Sequence, residues 1–321
     1  MAHELTIVNG QAEMAYTGDE PWHGLGNKLE QGASIETWIQ AAGMGWQIKR
    51  GVVQFVPDAP GFGFGDSIPV SDSHVLYRDD NLEPLGIVSS KYKVVQPAEV
   101  LEFFRDLLPV GFDLDTAGTL FGGKRFWALA SIGESAVVTG NDLVNGYLLL
   151  SSSADGTLAT TARFTTVRVV CNNTLSMALT GKDRKDVVIS HRTDFNAAAT
   201  KAKLGIATGA FHNFITASRD LAGRNVSHNG AIQLTSDLLL LNDGTTRKDV
   251  TKSKAFNNIM TLFETGKGNS GQTAWDWVNG VTEYVDHYQR GKTDDHRLVN
   301  SWYGKGDALK TSALELALAT A

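Results

Sequence analysis

Apolar and polar positions alternate in three successive stretches, Trp46–Val56, His74–Arg78 and Leu85–Val95, and this alternation predicts three strands. The Gly-rich Asp58–Asp66 between the first two reads as a mobile connection. Pro97 then opens a helix, because a missing N–H costs nothing in the first turn, and Val100, Leu101, Phe103, Phe104, Leu107 and Leu108 give it a broad apolar face. Upstream, Ser34 fits as the N-cap of a short helix ending at Gly43. A second β-rich half follows, with strands predicted at Thr116–Phe121, Phe126–Ile132, Ala136–Thr139 and Tyr147–Ser151 and a turn at Ala154–Gly156. It feeds Thr160–Leu179 (TTARFTTVRVVCNNTLSMAL), in which alternating β-formers give way at Asn172–Asn173 to a helix-like run. Strands followed by a helix would thus occur twice.

Beyond Gly181 the spacing predicts helices. Ala197–Arg219 has weak points at Gly205 and Gly209, and Ser253–Phe263, Ala274–Gln289 and Asp307–Ala319 follow. Val226–Gly230 and Thr265–Thr273 read as loops. The expected class is α+β: an antiparallel sheet built from strand-strand-strand-helix units, packed by helices, with a helical C-terminal third. The expected regions are 1–45 (N-terminal arm and short helix), 46–210 (α+β core) and 211–321 (mainly helical, packing on the core or on a neighbouring subunit).

The chain has 321 residues, 42% hydrophobic and 20% charged, with a single cysteine; a disulfide within the chain is excluded, and a reducing compartment is expected. No apolar run reaches membrane-spanning length, and MAHELTIVNG lacks the features of a secretory signal. The net charge of −6 is unevenly spread. Residues 1–157 hold 9 Lys+Arg against 20 Asp+Glu, residues 158–210 hold 8 against 3, and residues 211–321 hold 12 of each. A basic strip from Arg163 and Arg168 to Lys203 therefore stands in an acidic chain, as a polyanion site or as a solvated face balancing its neighbour.

Several catalytic templates fail. GKGNSG misplaces the lysine of a phosphate loop, GFGFGD has no βαβ context, and there is no C-x-x-C, H-E-x-x-H or G-x-S-x-G. His23 in PWHGLG reads as a hydrogen-bonded structural residue before it reads as a ligand. Cys171, set among Val and Leu, reads as a small buried apolar residue before a nucleophile. Glu283 and His287 share a helix face near Asp286, but without a third ligand they suit a side-chain pair better than a metal site. No cofactor is expected.

The positive signal is cations interleaved with aromatics: Lys91-Tyr92-Lys93, Lys124-Arg125-Phe126-Trp127 and Arg163-Phe164, with Arg168. Lysine and arginine neutralise phosphates, and aromatic faces accept unstacked bases, unless the rings point into the core. Asn172 and Asn173 would cap the expected helix or add backbone contacts to the nucleic acid.

PWHGLG, YKVVQPAEVLEFFRDL, KRFWALA, RFTTVRVVCNNTLSMAL, VTEYVDH and SWYGKGDALKTSALELAL, in order from about Ala2 to Leu318, resemble the phage/plasmid-like protein family, a domain of unknown function numbered 932. The resemblance implies a mobile genetic element and a bacterial cytoplasm, and it carries over no catalytic residue. Gly280 departs from the Ala expected there. By topology, three antiparallel strands and a helix are similar to the single-strand annealing superfamily, whose members form rings or filaments on single-stranded DNA; this likeness is at the level of fold. Together these readings lead to a non-enzymatic, homo-oligomeric protein that binds single-stranded DNA for annealing or recombination. Its contacts would be Arg163, Arg168, Lys91, Tyr92, Lys93, Lys124, Arg125, Asn172 and Asn173, and its partners a phage exonuclease or a host single-strand-binding protein. The rival is an anti-defence or decoy protein that engages a host protein through the acidic first half. A third reading is an enzyme dependent on Cys171 or a metal.

Overall fold

A computed structural model describes residues 6–8, 10–18, 25–59, 61–63, 65–168, 173–176, 186–205, 210–243 and 250–320. The first strands are short: β1 (Ile7–Val8), β2 (Gln11–Ala12), β3 (Met14–Tyr16) and β4 (Asn27–Lys28). Helix α1 (Ile35–Ala41) is capped as expected, with Ser34 Oγ accepting the Thr37 N–H at 3.2 Å. Strands β5 (Ile48–Phe55), β6 (Ile68–Arg78) and β7 (Pro84–Ser89) lead into α2 (Pro97–Glu102). Next come β8 (Asp113–Leu120), β9 (Arg125–Val137), β10 (Leu143–Ser153), β11 (Thr160–Arg168), β12 (Asn173–Ser176) and β13 (Val187–Ile189). The helices are α3 (Ala197–Gly205), α4 (Ala210–Gly223), α5 (His228–Asp243), α6 (Lys254–Thr265), α7 (Ala274–Glu283, extended by a π turn Tyr284–Tyr288), α8 (Asp294–Tyr303) and α9 (Lys305–Ala319). None of the described helices is long and apolar enough to cross a membrane.

The class is α+β, with sheets that are antiparallel apart from the β3–β4 pair and a helical C-terminal region. The chain divides into two compact units, each assembled from three stretches. One comprises Met1–Ser131, Leu148–Ala162 and Asp186–Leu204; the other comprises Ile132–Tyr147, Arg163–Lys185 and Gly205–Ala321. Residues 46–210 are thus shared between them, and β9, β10 and β11 each run through both.

In the first unit β5, β6 and β7 form an antiparallel sheet, with Gly51 opposite Val75 and Val75 opposite Ile87. In the second sheet β3 pairs parallel with β4 and antiparallel with β8, and β8 pairs antiparallel with β9. Gly118 on β8 is required there, because a Cβ would lie 2.6 Å from the Glu13 carbonyl oxygen and 2.9 Å from Trp127. A charged knot is buried in this unit. Arg78, fully buried, donates to the Glu13 carboxylate at 2.6 and 2.9 Å and to Asp80 at 2.8 and 2.9 Å, 4.2 Å from the centre of the Trp46 ring. Its five donors in a planar fork suit it to bridge two carboxylates where lysine could not.

The second unit is built on amphipathic helices whose core includes Phe214, Leu238, Ile259, Phe263, Trp277, Val278 and Val281. Ser253 caps α6 through the Phe256 N–H, and Thr273 caps α7 through that of Asp276. Gly280 has a reason beyond helix propensity. A Cβ there would sit 2.8 Å from Phe263 N and 3.1 Å from its Cα, so glycine lets α7 approach the backbone of α6.

Four expectations are corrected. Asn173–Ser176 is a strand, not a helix: β12 pairs antiparallel with β11, with Arg168 opposite Asn173 and Thr165 opposite Ser176, and it lies against α7 and α9. Hydrogen bonding to the free edge of β11 wins over a local preference for helix. The second strand group is therefore not closed by a helix at this point. Ala197–Arg219 is two helices, α3 and α4, and α5 begins at His228 inside the expected loop. The strands expected at Phe126–Ile132 and Ala136–Thr139 are one strand, β9.

Candidate nucleic-acid interface

Lys91, Tyr92 and Lys93 follow β7 in a turn that the Tyr92 N–H closes onto the Ser89 carbonyl at 3.0 Å. The middle residue goes inward. Tyr92 is buried, donates its hydroxyl to the Ser153 carbonyl at 2.8 Å, and stacks on His191 with ring centres 4.4 Å apart. Burial pushes the Tyr92 phenol up to about 12. The two lysines go outward; both are exposed, and Lys93 Nζ lies 3.1 Å from Asp194. Tyr92 is thus part of the core, and its ring has no face to offer a base.

His191 ties this turn to two others. Its Nδ1 is 2.9 Å from the Lys93 carbonyl oxygen, its Nε2 is 3.1 Å from that of Leu158, and its own carbonyl accepts the Lys93 N–H. Arg50, exposed on β5, donates from Nη2 to the Tyr92 carbonyl at 2.7 Å. Arg192 is exposed beside His191.

Lys124 and Arg125 stand where β9 begins. The Lys124 carbonyl accepts the Ala154 N–H at 2.8 Å, and Arg125 Nη2 donates to Thr157 Oγ1 at 3.0 Å while its guanidinium lies 5.6 Å from the centre of the Phe121 ring. Thr157 is held in turn by Asp155 Oδ1, at 2.9 Å from its N and 2.6 Å from its Oγ1. Phe126 and Trp127, read as stacking faces or as core, are core. The turn at residues 154–158 therefore joins the two cation pairs picked out in the sequence. Around it and the Tyr92–His191 stack, all within the first unit, stand Arg50, Lys91, Lys93, Lys124, Arg125 and Arg192.

Arg163 is elsewhere and differently employed. It is buried in the second unit, donating from Nη1 to Asp307 Oδ2 at 2.9 Å and to the Trp302 carbonyl at 2.6 Å, with Tyr303 5.4 Å away. This corrects the expectation of a phosphate contact: the charge is already matched and the side chain is out of solvent. Arg168 and Asn173 are described by their backbones, as partners across the β11–β12 hairpin. The cap role expected at Asn173 has no helix to serve, and Asn172, Cys171 and His23 lie outside the described residues.

Buried Glu283 accepts the Lys267 N–H at 3.2 Å, while His287 is exposed. Asp286, between them in sequence, pairs with buried Lys310 at 2.8 Å and accepts from Ser301 Oγ. In the first turn of α7, Asp276 Oδ2 accepts from Ser270 Oγ and from the N–H groups of Gln272 and Thr273 in the preceding loop, so the helix start already holds an anion. Among the described residues no group of three or more His, Cys, Asp and Glu side chains is placed to hold a metal ion. Arg50 and His191 were missed from the sequence: neither sits in a cation–aromatic string, and their roles arise from partners more than 30 residues away.

No curated protein and no solved structure matches the chain. A family profile does match, over residues 84–302, more than half of the chain and including the cation pairs at 91–93 and 124–125 and the β11–β12 hairpin. The chain belongs to the family described as Domain of unknown function (DUF932).

Proposed function

We propose that the protein binds single-stranded DNA and promotes annealing or recombination without hydrolysing nucleotide. The observation that carries this reading is the gathering of six cationic side chains, Arg50, Lys91, Lys93, Lys124, Arg125 and Arg192, from four separate parts of the sequence around one pair of turns. Cations brought from distant segments to neighbouring turns, with Asp155 and Asp194 among them, make a charge footprint that can follow a phosphate backbone. With Tyr92, Phe126 and Trp127 in the core, contacts run through phosphates and the bases stay exposed for pairing.

The test is binding of a labelled single-stranded oligonucleotide across a salt series. Neutralising about four phosphates gives a slope of log K against log salt of about −3. The combined substitution Lys91→Ala, Lys124→Ala and Arg192→Ala should bring the slope to about −1 and weaken binding regardless of sequence. Binding by that variant equal to wild type, or no binding by the folded wild type, overturns the proposal.

A further inference from the structure

The β5–β6 ribbon is covered at one end only. Near its base Ile48, Leu76 and Arg78 are buried, whereas from Gly51 to Phe55 and from Ile68 to Ser73 no residue of either strand is buried. The far end is nonetheless apolar. Val52 is 69% exposed, Phe55 52%, Val56 55%, Phe62 46% and Ile68 39%, with Phe55 directly opposite Ile68. Large apolar side chains left this exposed on both faces of a strand pair, with none of its described residues buried at that end, make a contact surface in waiting. The β5 edge reinforces this. Among the described residues β5 has a strand neighbour on one side only, and no lysine, arginine or proline stands between Gly51 and Val56 to guard the other.

Charge selects the occupant. At the free end, from Gly51 to Val70, the chain carries Asp58 and Asp66 and no cationic side chain, while Asp72 lies nearer the base, its carbonyl accepting the Ser90 N–H at 2.8 Å. Two such ribbons meeting face to face would bring like charges together. A ribbon meeting the cationic turns of the same unit would bring opposite charges together around an apolar contact. The geometry points to head-to-tail self-association: the apolar, acidic end of the β5–β6 ribbon of one copy docks on the surface bearing Lys91 and Arg192 of a second copy. This rests on the same cationic surface as the proposed function and names how the DNA-free protein assembles. A contact between two different patches leaves one of each unused at the ends, so copies add on into a closed ring or an open filament and do not stop at a dimer. Because ribbon and polyanion want the same cations, an oligonucleotide competes with the docking.

The test is sedimentation velocity of the full chain, freed of nucleic acid, over a wide concentration series at low salt. Wild type should form species larger than dimers, and these should dissociate at high salt or on adding oligonucleotide. Phe55→Ser with Phe62→Ser should give monomer, and so should Asp58→Lys with Asp66→Lys, or Lys91→Glu with Arg192→Glu, each with an unchanged circular dichroism spectrum. Mixing the two charge-reversed proteins should restore a complex, since each then keeps one matched surface. A wild type that stays monomeric, association undiminished by the paired Phe substitutions, or no complex on mixing overturns the inference. Failure here is separable from failure of the proposed function, because the Phe55→Ser, Phe62→Ser protein keeps its cations and should still bind oligonucleotide, with a salt slope at least as steep as that of wild type.

Discussion

Replacing Arg163 by Met tests most directly what this arginine is for. Its side chain and that of Asp307 are 8% and 7% exposed and 2.9 Å apart, so the substitution leaves a carboxylate with little water to solvate it. Losing one member of a buried pair costs about 3–5 kcal/mol, most of it the stranded partner. The bond to the Trp302 carbonyl is lost as well. Methionine fills part of the volume, so the cavity cost stays small and the expected loss is about 3–4 kcal/mol. With a urea m-value of about 2–3 kcal/mol per molar, the midpoint of the transition that follows the second unit should fall by about 1–2 M. Removing both charges, Arg163→Met with Asp307→Leu, should recover most of the loss, because apolar groups of similar volume replace a buried pair at little cost. The same Arg163→Met protein should bind oligonucleotide with the wild-type salt slope. A loss below about 0.5 kcal/mol, no recovery in the double variant, or a salt slope reduced by about 1 would refute the structural assignment.

Two further outcomes follow from the geometry. Burial, with the neighbouring Asp113 charge, raises the Asp115 carboxyl to about 6, so the folded protein holds that proton more tightly than the unfolded chain. The penalty is absent below about pH 4, grows through about pH 6 and is complete above it; Asp115→Asn should therefore raise the stability at pH 8 by about 2 kcal/mol, read as a higher urea midpoint, and leave it unchanged at pH 4. Equal effects at the two pH values would exclude this cause. Gly280→Ala gains about 1 kcal/mol of helix propensity but drives a methyl group onto the Phe263 backbone, for a net loss of about 1–2 kcal/mol, read by thermal or urea unfolding. A stabilised variant would show that α6 and α7 can move apart freely.

Local patterning determined a good deal. Alternation located β5, β6, β7 and β11, Pro97 and Ser34 marked two helix starts, and apolar spacing located α6, α7 and α9. These depend on side chains within a few residues of one another, which is what a linear reading can see. The family was legible for the same reason, since its motifs are contiguous strings. Position 280 was legible as a departure but not as a necessity, because the atoms that demand glycine belong to another helix.

Tertiary structure decided whatever turns on distant partners. Asn173–Ser176 became a strand because its backbone groups pair with those of β11, and no local rule counts such partners. Arg163 and Tyr92 have the composition of nucleic-acid contacts, yet Asp307, 144 residues on, neutralises the first, and Ser153, 61 residues on, claims the second. The cation pairs at 91–93 and 124–125 were visible singly; what gathers them with Arg50 and Arg192 is a chain of hydrogen bonds through Thr157, Leu158 and His191. Charge and aromatic content are properties of residues, whereas exposure and proximity are properties of the packed chain. The sequence could nominate the cations, and only the fold could sort those facing solvent from those holding the core together.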